Sequence, residues 1–365
     1  MNGFQLNGAM RSGIGAFLRV MTERLANVGS EGRFASGVAL LAVLTAHLSP
    51  HALSQQANRE DPYAAASDWT VGIMTGAMEH TELSMASDLA AGLNDGADLR
   101  IVPLLGESSI RNVTDLFYLS GVDAAIVQSD VLTYLRRSNA MPGIDSRLHY
   151  VAKLHSAEFH VLSRMNYMCI ADLSGRKVNF GPAGSGGALT AQAVFEAAKV
   201  GVQPLYLPQN VAADQLRRGE LDAVVFVSGK PATAFSSIRY TDGVHFLDVD
   251  FSDSLQRDYL PAILTHDDYP DLIAAEETVS TIAVSAVLAV AKTPERSEQY
   301  AKLDRMVDRL FTNIERFRKP PNHAKWREVT LSAPVNGWTR FPGAQQWLKT
   351  HPDSIAASGN NAQQR

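Results

Sequence analysis

The chain has 365 residues, 45% hydrophobic and 19% charged, with a formal net charge of −5. That is enough material for two domains with their own cores, and it excludes a largely disordered chain. No long basic run is present, which argues against a nucleic-acid partner, and the single cysteine, Cys169, excludes an intramolecular disulfide or a cysteine-based metal cluster.

Residues 1–54 differ in kind from the rest. Arg11, Arg19, Arg24 and Arg33 precede an apolar stretch from Phe34 to Leu48, Pro50 ends it, and Ala52 and Ser54 supply small residues for cleavage. This is the layout of a secretory signal peptide with a long basic front part, and Met21 offers an alternative start. A buried amphipathic N-terminal helix is the competing reading. Beyond the signal, no stretch has the length and purity of a membrane-spanning helix, so the mature chain is expected to be exported to the periplasm without spanning the membrane.

A polar linker (55–68) leads to the strand from Trp69 to Met74, which ends at Thr75-Gly76, and to a helix from about His80 to Leu93. A strand from Leu99 to Leu105, a short helix from Ile110 to Leu119, a strand from Ala124 to Gln128 and a helix from Val131 to Arg137 follow. Tyr150–Leu154 and Glu158–Leu162 read as two separate extended runs. The pattern then restarts with the strand Val178–Phe180, a loop Gly181-Pro182-Ala183-Gly184-Ser185-Gly186-Gly187, and a helix to Val200. Val202–Leu207 is extended, Val211–Arg218 is helical, and Ala223–Val227 is an apolar strand ending at Ser228-Gly229-Lys230-Pro231. His245–Val249 and Thr278–Ala291 read as strands returning to the first half, and Lys302–Phe317 as an amphipathic helix.

Strands alternating with helices predict an α/β fold with mostly parallel sheets. Repetition of the pattern predicts two hinged lobes, with a first lobe at 69–163, a second at 164–250, a return to the first at 251–353, and a flexible tail at 354–365. Ligands bind at the carboxyl ends of such strands, so the two sets of strand ends are expected to face each other across a cleft. Those ends offer Thr75, Gly76, Ser108, Ser109, Asn112, Gln128, Gly184, Ser185, Gly186, Gly229 and Pro231. These residues are rich in hydroxyls, amides and free backbone N–H groups and poor in general bases, which suits capture of a small polar anion at helix N-termini. Taken singly, each also reads as an ordinary cap or turn residue.

The strand ending Thr75-Gly76, the serines with Asn112, the Gln128-Ser129-Asp130 sequence and Leu173-Ser-Gly-Arg-Lys-Val-Asn-Phe-Gly-Pro-Ala-Gly-Ser-Gly together resemble the TAXI family, the extracytoplasmic solute receptors of TRAP transporters. Arg218-Gly-Glu-Leu-Asp-Ala-Val-Val and Gly229-Lys-Pro231 are similar to that family as well, and the resemblance runs from Trp69 to Leu348. It implies a type II periplasmic binding protein fold, ligands such as glutamate or 2-oxoglutarate, and handover to integral membrane subunits. By position, Thr75, Ser108, Gln128, Ser185 and Gly186 would line the cleft, and Gly229 and Pro231 would shape it. The chain departs from the family at Ala77-Met78-Glu79-His80 and at Glu107, where an acid facing the cleft would disfavour a dianion.

Four further readings stand beside this one. Arg164, expected at the crossing between lobes, could clamp a carboxylate. His155, Glu158 and His160 could be taken as a metal site, although His155 falls on the other face of a strand; neither metal nor cofactor is expected. Ala183-Gly184-Ser185-Gly186-Gly187 approximates a nucleophile elbow, which would need Asp222 and His245 or His266 to complete a triad. A ligand-sensing receptor for a signalling partner would use the same cleft. Cys169, beside Met168, reads as an inert buried thiol.

Overall fold

The computed structural model describes residues 69–76, 81–94 and 98–352. The signal peptide, the linker and the tail expected from 354 therefore lie outside the described residues, as does Glu79.

In chain order, the first part comprises β1 (Thr70–Thr75), α1 (Thr81–Leu93), β2 (Arg100–Leu105), α2 (Ser109–Tyr118), β3 (Ala124–Gln128), α3 (Asp130–Ser138) and α4 (Ile144–Arg147). The long strand β4 (Leu148–Arg164) leads into β5 (Lys177–Asn179), α5 (Gly186–Ala197), β6 (Gln203–Leu205), α6 (Gln209–Arg217), β7 (Ala223–Ser228), β8 (Val244–Phe246) and β9 (Leu260–Thr265). A second long strand, β10 (Thr278–Ala291), returns the chain to α7 (Glu298–Thr312), α8 (Ile314–Phe317), β11 (Thr339–Arg340) and α9 (Pro342–Thr350).

Among the described residues these strands share one sheet, with a main path β2-β1-β3-β10-β4-β7-β5-β6. Each half has parallel strands joined by helices, and the antiparallel β4 and β10 belong to both halves. This is a two-lobed α/β architecture in which two antiparallel strands join two sets of parallel strands. The first lobe packs α1, α7 and α9 on β1–β3 through Met85, Leu89, Met306, Phe311 and Trp347. The second packs α5 and α6 on opposite faces of β7, around Val194, Phe195 and Val225 on one side and Leu216, Phe226 and Phe246 on the other.

The two extended runs expected between Tyr150 and Leu162 are one continuous strand. Its first part pairs with the end of β10 and its last part with β7. Its middle, Leu154 to Ala157, lacks a clean alternation because it is covered on both faces. Register shifts between Ala286 and Val287 and between Leu288 and Ala289 bend the β4–β10 ribbon where it passes from one lobe to the other.

The stretch beginning at residue 251 does not return to the first lobe as expected. Leu255, Tyr259, Leu264, Tyr269, Leu272 and Ile273 are buried in the second lobe's clusters, and β9 pairs with the first half of β10. The chain re-enters the first lobe only past Ser285. The crossing on β4 likewise falls near 155–158, ahead of the expected boundary at 164.

Candidate functional site

The site follows from strand polarity. β3 ends at Gln128, opposite Ala286, which also pairs with His155; β7 ends at Ser228, opposite Glu158. His155 to Glu158 is three residues of strand, about 10 Å. The two sets of strand ends therefore converge over a floor formed by the middle of β4.

The first-lobe side is built of side chains. Ser108 caps α2 by accepting from the Arg111 N–H, and Ser109 donates to Gln128 Oε1 at 2.8 Å. Gln128 Nε2 donates to Glu82 Oε1 at 3.3 Å, and all three of Ser109, Gln128 and Glu82 are buried. Thr75 and Asn112 do a different job from the one expected. Thr75 Oγ1 donates to the Leu104 carbonyl, and Asn112 Nδ2 donates to the Thr75 carbonyl at 2.9 Å, tying β1, β2 and α2 together. Gly76 continues that tie, since its carbonyl also accepts from Thr75 Oγ1. Glu107 is exposed and does not enter the floor.

The second-lobe side is built of backbone. Ser185 caps α5 by accepting from the Ala188 N–H at 3.1 Å. Gly184 has φ +74°, the left-handed region that glycine tolerates. A Cβ at Gly184 would lie 3.4 Å from Ser108 Oγ, and one at Gly186 would overlap the Gln128 side-chain oxygen. The N-termini of α2 and α5 thus meet across the lobes in a closed arrangement, and both end dipoles favour an anion between them.

Gly229 is buried and packed against Thr81 and Lys325, leaving no room for a side chain, whereas Pro231 is exposed behind it. Thr81 Oγ1 lies 3.4 Å from Ser228 Oγ, a further contact between lobes.

Lys325 escaped the sequence reading. It is 3% exposed and its Nζ lies 2.6 Å from both Glu158 Oε1 and Glu328 Oε1. Glu158 Oε2 also accepts from the Lys230 N–H, and Glu328 Oε2 from the Ser156 N–H. Burial pushes the Glu158 carboxyl up, and Lys325 opposes that rise. The segment carrying Lys325 is pinned to α1 by Asp88, which accepts from the His323 N–H and from Trp326 Nε1. Trp326 itself stacks on Phe317. The only hint in the sequence was Glu158; its partner lies 167 residues away with no local pattern to mark it.

Several expected groups fall outside the site. Arg164 is exposed at the far end of β4, beside the Gly219 turn, because the crossing lies nearer the strand's middle. The Lys230 side chain, in the loop after β7, also lies outside the site, donating to Asp268 and to the Ile263 carbonyl. His160 is fully buried and uses both ring nitrogens, with the Phe226 carbonyl and the Tyr269 hydroxyl; burial pushes it down to about 4. Among the described residues, no group of three or more His, Cys, Asp or Glu is disposed to hold a metal ion. Asp222 accepts from the Tyr167 hydroxyl and the Lys177 N–H, His245 is bonded to the Tyr167 carbonyl, and His266 to that of Ile273. None of these is hydrogen-bonded to Ser185, so no triad is assembled. Cys169 is exposed and precedes a short 3-10 turn, contrary to the expected buried thiol. No helix among the described residues is long and apolar enough to cross a membrane.

The comparisons with solved structures gave distant likenesses. A mutant of ArgBP from T. maritima shares 13% identity at a TM-score of 0.41, the match covering 70% of this chain and 94% of that one. The amino acid ABC transporter substrate-binding protein AbpA from Streptococcus pneumoniae, bound to L-arginine, shares 16% at 0.39, covering 69% and 92%. The periplasmic aliphatic sulphonate binding protein SsuA from Escherichia coli shares 15% at 0.37, covering 80% and 78%. The family model described as the NMT1-like family matches residues 94–349, well over half of the chain, and this protein therefore belongs to the NMT1-like family.

Proposed function

We propose that the protein is an extracytoplasmic solute-binding receptor that traps a small organic anion or amino acid between its lobes and delivers it to a membrane transporter. A TRAP-type transporter is the partner that the resemblance of its loops implies. The observation that carries this reading is the opposition of the Ser108–Ser109 and Ser185–Gly186 helix starts across a buried polar floor. The carboxylate of a ligand would take the free N–H groups of the two helix starts, while Gln128 and Lys325 would supply directional donors beneath it.

Closing works by population shift. A ligand that touches both lobes only when they are together stabilises the closed form by its extra affinity for that form. Ser185 acts in this reading as a cap and an oxyanion donor, not as a nucleophile.

Thermal-shift titration of the protein lacking residues 1–54 against amino acids, dicarboxylates and aliphatic sulfonates tests the proposal. One chemical class is expected to stabilise the fold saturably, by about 2.7 kcal/mol at a hundred times its Kd. Turnover of an ester or amide that Ser185→Ala abolishes would overturn it.

A further inference from the structure

On one flank of the cleft, the first-lobe helix α3 lies directly against the second-lobe helix α5. Asp130, the first residue of α3, is 6% exposed. Its Oδ2 accepts from two groups, both of them on the second lobe: Thr190 Oγ1 at 2.6 Å and the Tyr259 hydroxyl at 3.0 Å. Its Oδ1 is buried with no hydrogen-bond partner. One turn along, Thr133 Oγ1 donates to Asp258 Oδ1 at 2.9 Å, again across the lobes. Leu189 of α5 completes the seam by burying itself in the first lobe's cluster with Val131 and Leu132.

We infer that Asp130, Thr190 and Tyr259 form a proton-linked latch that holds the lobes shut more firmly as the pH falls. The inference concerns regulation of the cleft and rests on reading the cleft as a closing trap. A carboxylate sealed in this seam with one bare oxygen costs less neutral than charged. Burial pushes Asp130 up to about 6 from an ordinary value of 3.8, against the two hydrogen bonds that favour its charged form. Asp258, on the turn that faces it, adds a like charge in the same direction. Other charged groups are near. Glu196 on α5, Arg137 on α3, and both Asp130 and Asp258 line a cavity of about 540 Å³ along the seam. Arg257 is 3.9 Å from Asp258, and the N-terminal dipole of α3 favours the charged form. The balance leaves Asp130 raised, and the adjoining cavity gives water and protons a route to it when the seam loosens.

With the lobes apart Asp130 is hydrated and near its ordinary value, so the closed form holds more protons between 3.8 and about 6. Its contribution to closure is complete below that window and is lost as the pH rises through about 6. Going from pH 7.5 to 5 raises the closed-to-open ratio roughly tenfold.

The test reads closure directly in the ligand-free full chain. Donor and acceptor dyes go on the native Cys169, exposed on the second lobe, and on Leu119→Cys, exposed on the first. Energy transfer is expected to rise between pH 7.5 and 5. In Asp130→Asn the response flattens, and in Tyr259→Phe, which removes a donor to the charged form, its midpoint moves upward. A merely structural role for Tyr259 would not move that midpoint. Transfer that is flat in the unsubstituted protein, or equally steep in Asp130→Asn, overturns the latch. A pH response without binding of any amino acid, dicarboxylate or sulfonate would uphold the latch and sink the proposed solute instead.

Discussion

The two jaws of the cleft solve the same problem with different materials. The first lobe presents side chains already committed to one another, Ser109 to Gln128 and Gln128 to Glu82. The second presents backbone, with Gly184 and Gly186 pared back so that the first lobe's side chains can reach it. Side chains discriminate by the direction of their donors and acceptors. Bare backbone at a helix start offers charge complementarity and close approach without preference for shape. In the proposed receptor, selectivity would therefore fall to the first lobe and close fit to the second.

Beneath both jaws lies the Lys325–Glu158 pair, and breaking it gives the largest expected effect. Lys325→Met strands a buried carboxylate and should lower unfolding stability by about 3–5 kcal/mol, whereas Lys325→Met with Glu158→Gln should recover much of that loss. Chemical denaturation of both variants measures this. If the single variant matched the parent, the floor would be solvated rather than sealed.

Gly186→Val comes next. It drives a side chain into Gln128 and should cost closure about 1–3 kcal/mol, roughly five- to 150-fold in affinity, with the unfolding midpoint little changed. Calorimetric titration of the stabilising ligand checks it, and unchanged affinity would remove the second-lobe loop from the site. Ser185→Ala removes a cap and should destabilise α5 by about 1 kcal/mol without abolishing binding. Arg164→Ala should leave affinity within experimental error, because the residue sits at the far end of β4; a tenfold loss would return it to the cleft.

Much of the fold was legible because local chemistry marks it. Thr70–Thr75 and Ala223–Ser228 announce themselves as apolar strands ending in polar residues, and the glycines from 181 to 187 mark the start of α5. The continuous run of β4 was not legible, because the polar His155-Ser156 and Glu158 interrupt its apolar character where it forms the floor. The allegiance of residues 251–284 was hidden for a related reason: Tyr259, Tyr269 and Leu272 are placed by contacts with distant strands, not by their own periodicity. Within the site, residues at strand ends could be found from small-residue loops. Even so, Thr75 and Asn112 proved to brace the strands, since a hydroxyl or amide that bonds a neighbouring carbonyl looks the same in sequence as one that awaits a ligand. Lys325 could not be found at all, because its meaning depends on a partner brought to it only by the completed fold.

The shared ribbon of β4 and β10 has a consequence for how the molecule moves. Because paired strands, bent at two register shifts, run from one lobe into the other, the connection should behave as a torsion spring with a preferred angle, not as a loose string. Its amides at Ala152, Phe159 and Val284 should exchange with deuterium only on global unfolding. The seam parts at side chains only: Thr190 Oγ1 and the Tyr259 hydroxyl would leave Asp130 when the lobes swing, while the amide of Thr190 stays bonded inside α5. Opening would thus break side-chain contacts at the seam and leave the backbone pairing of both lobes in place.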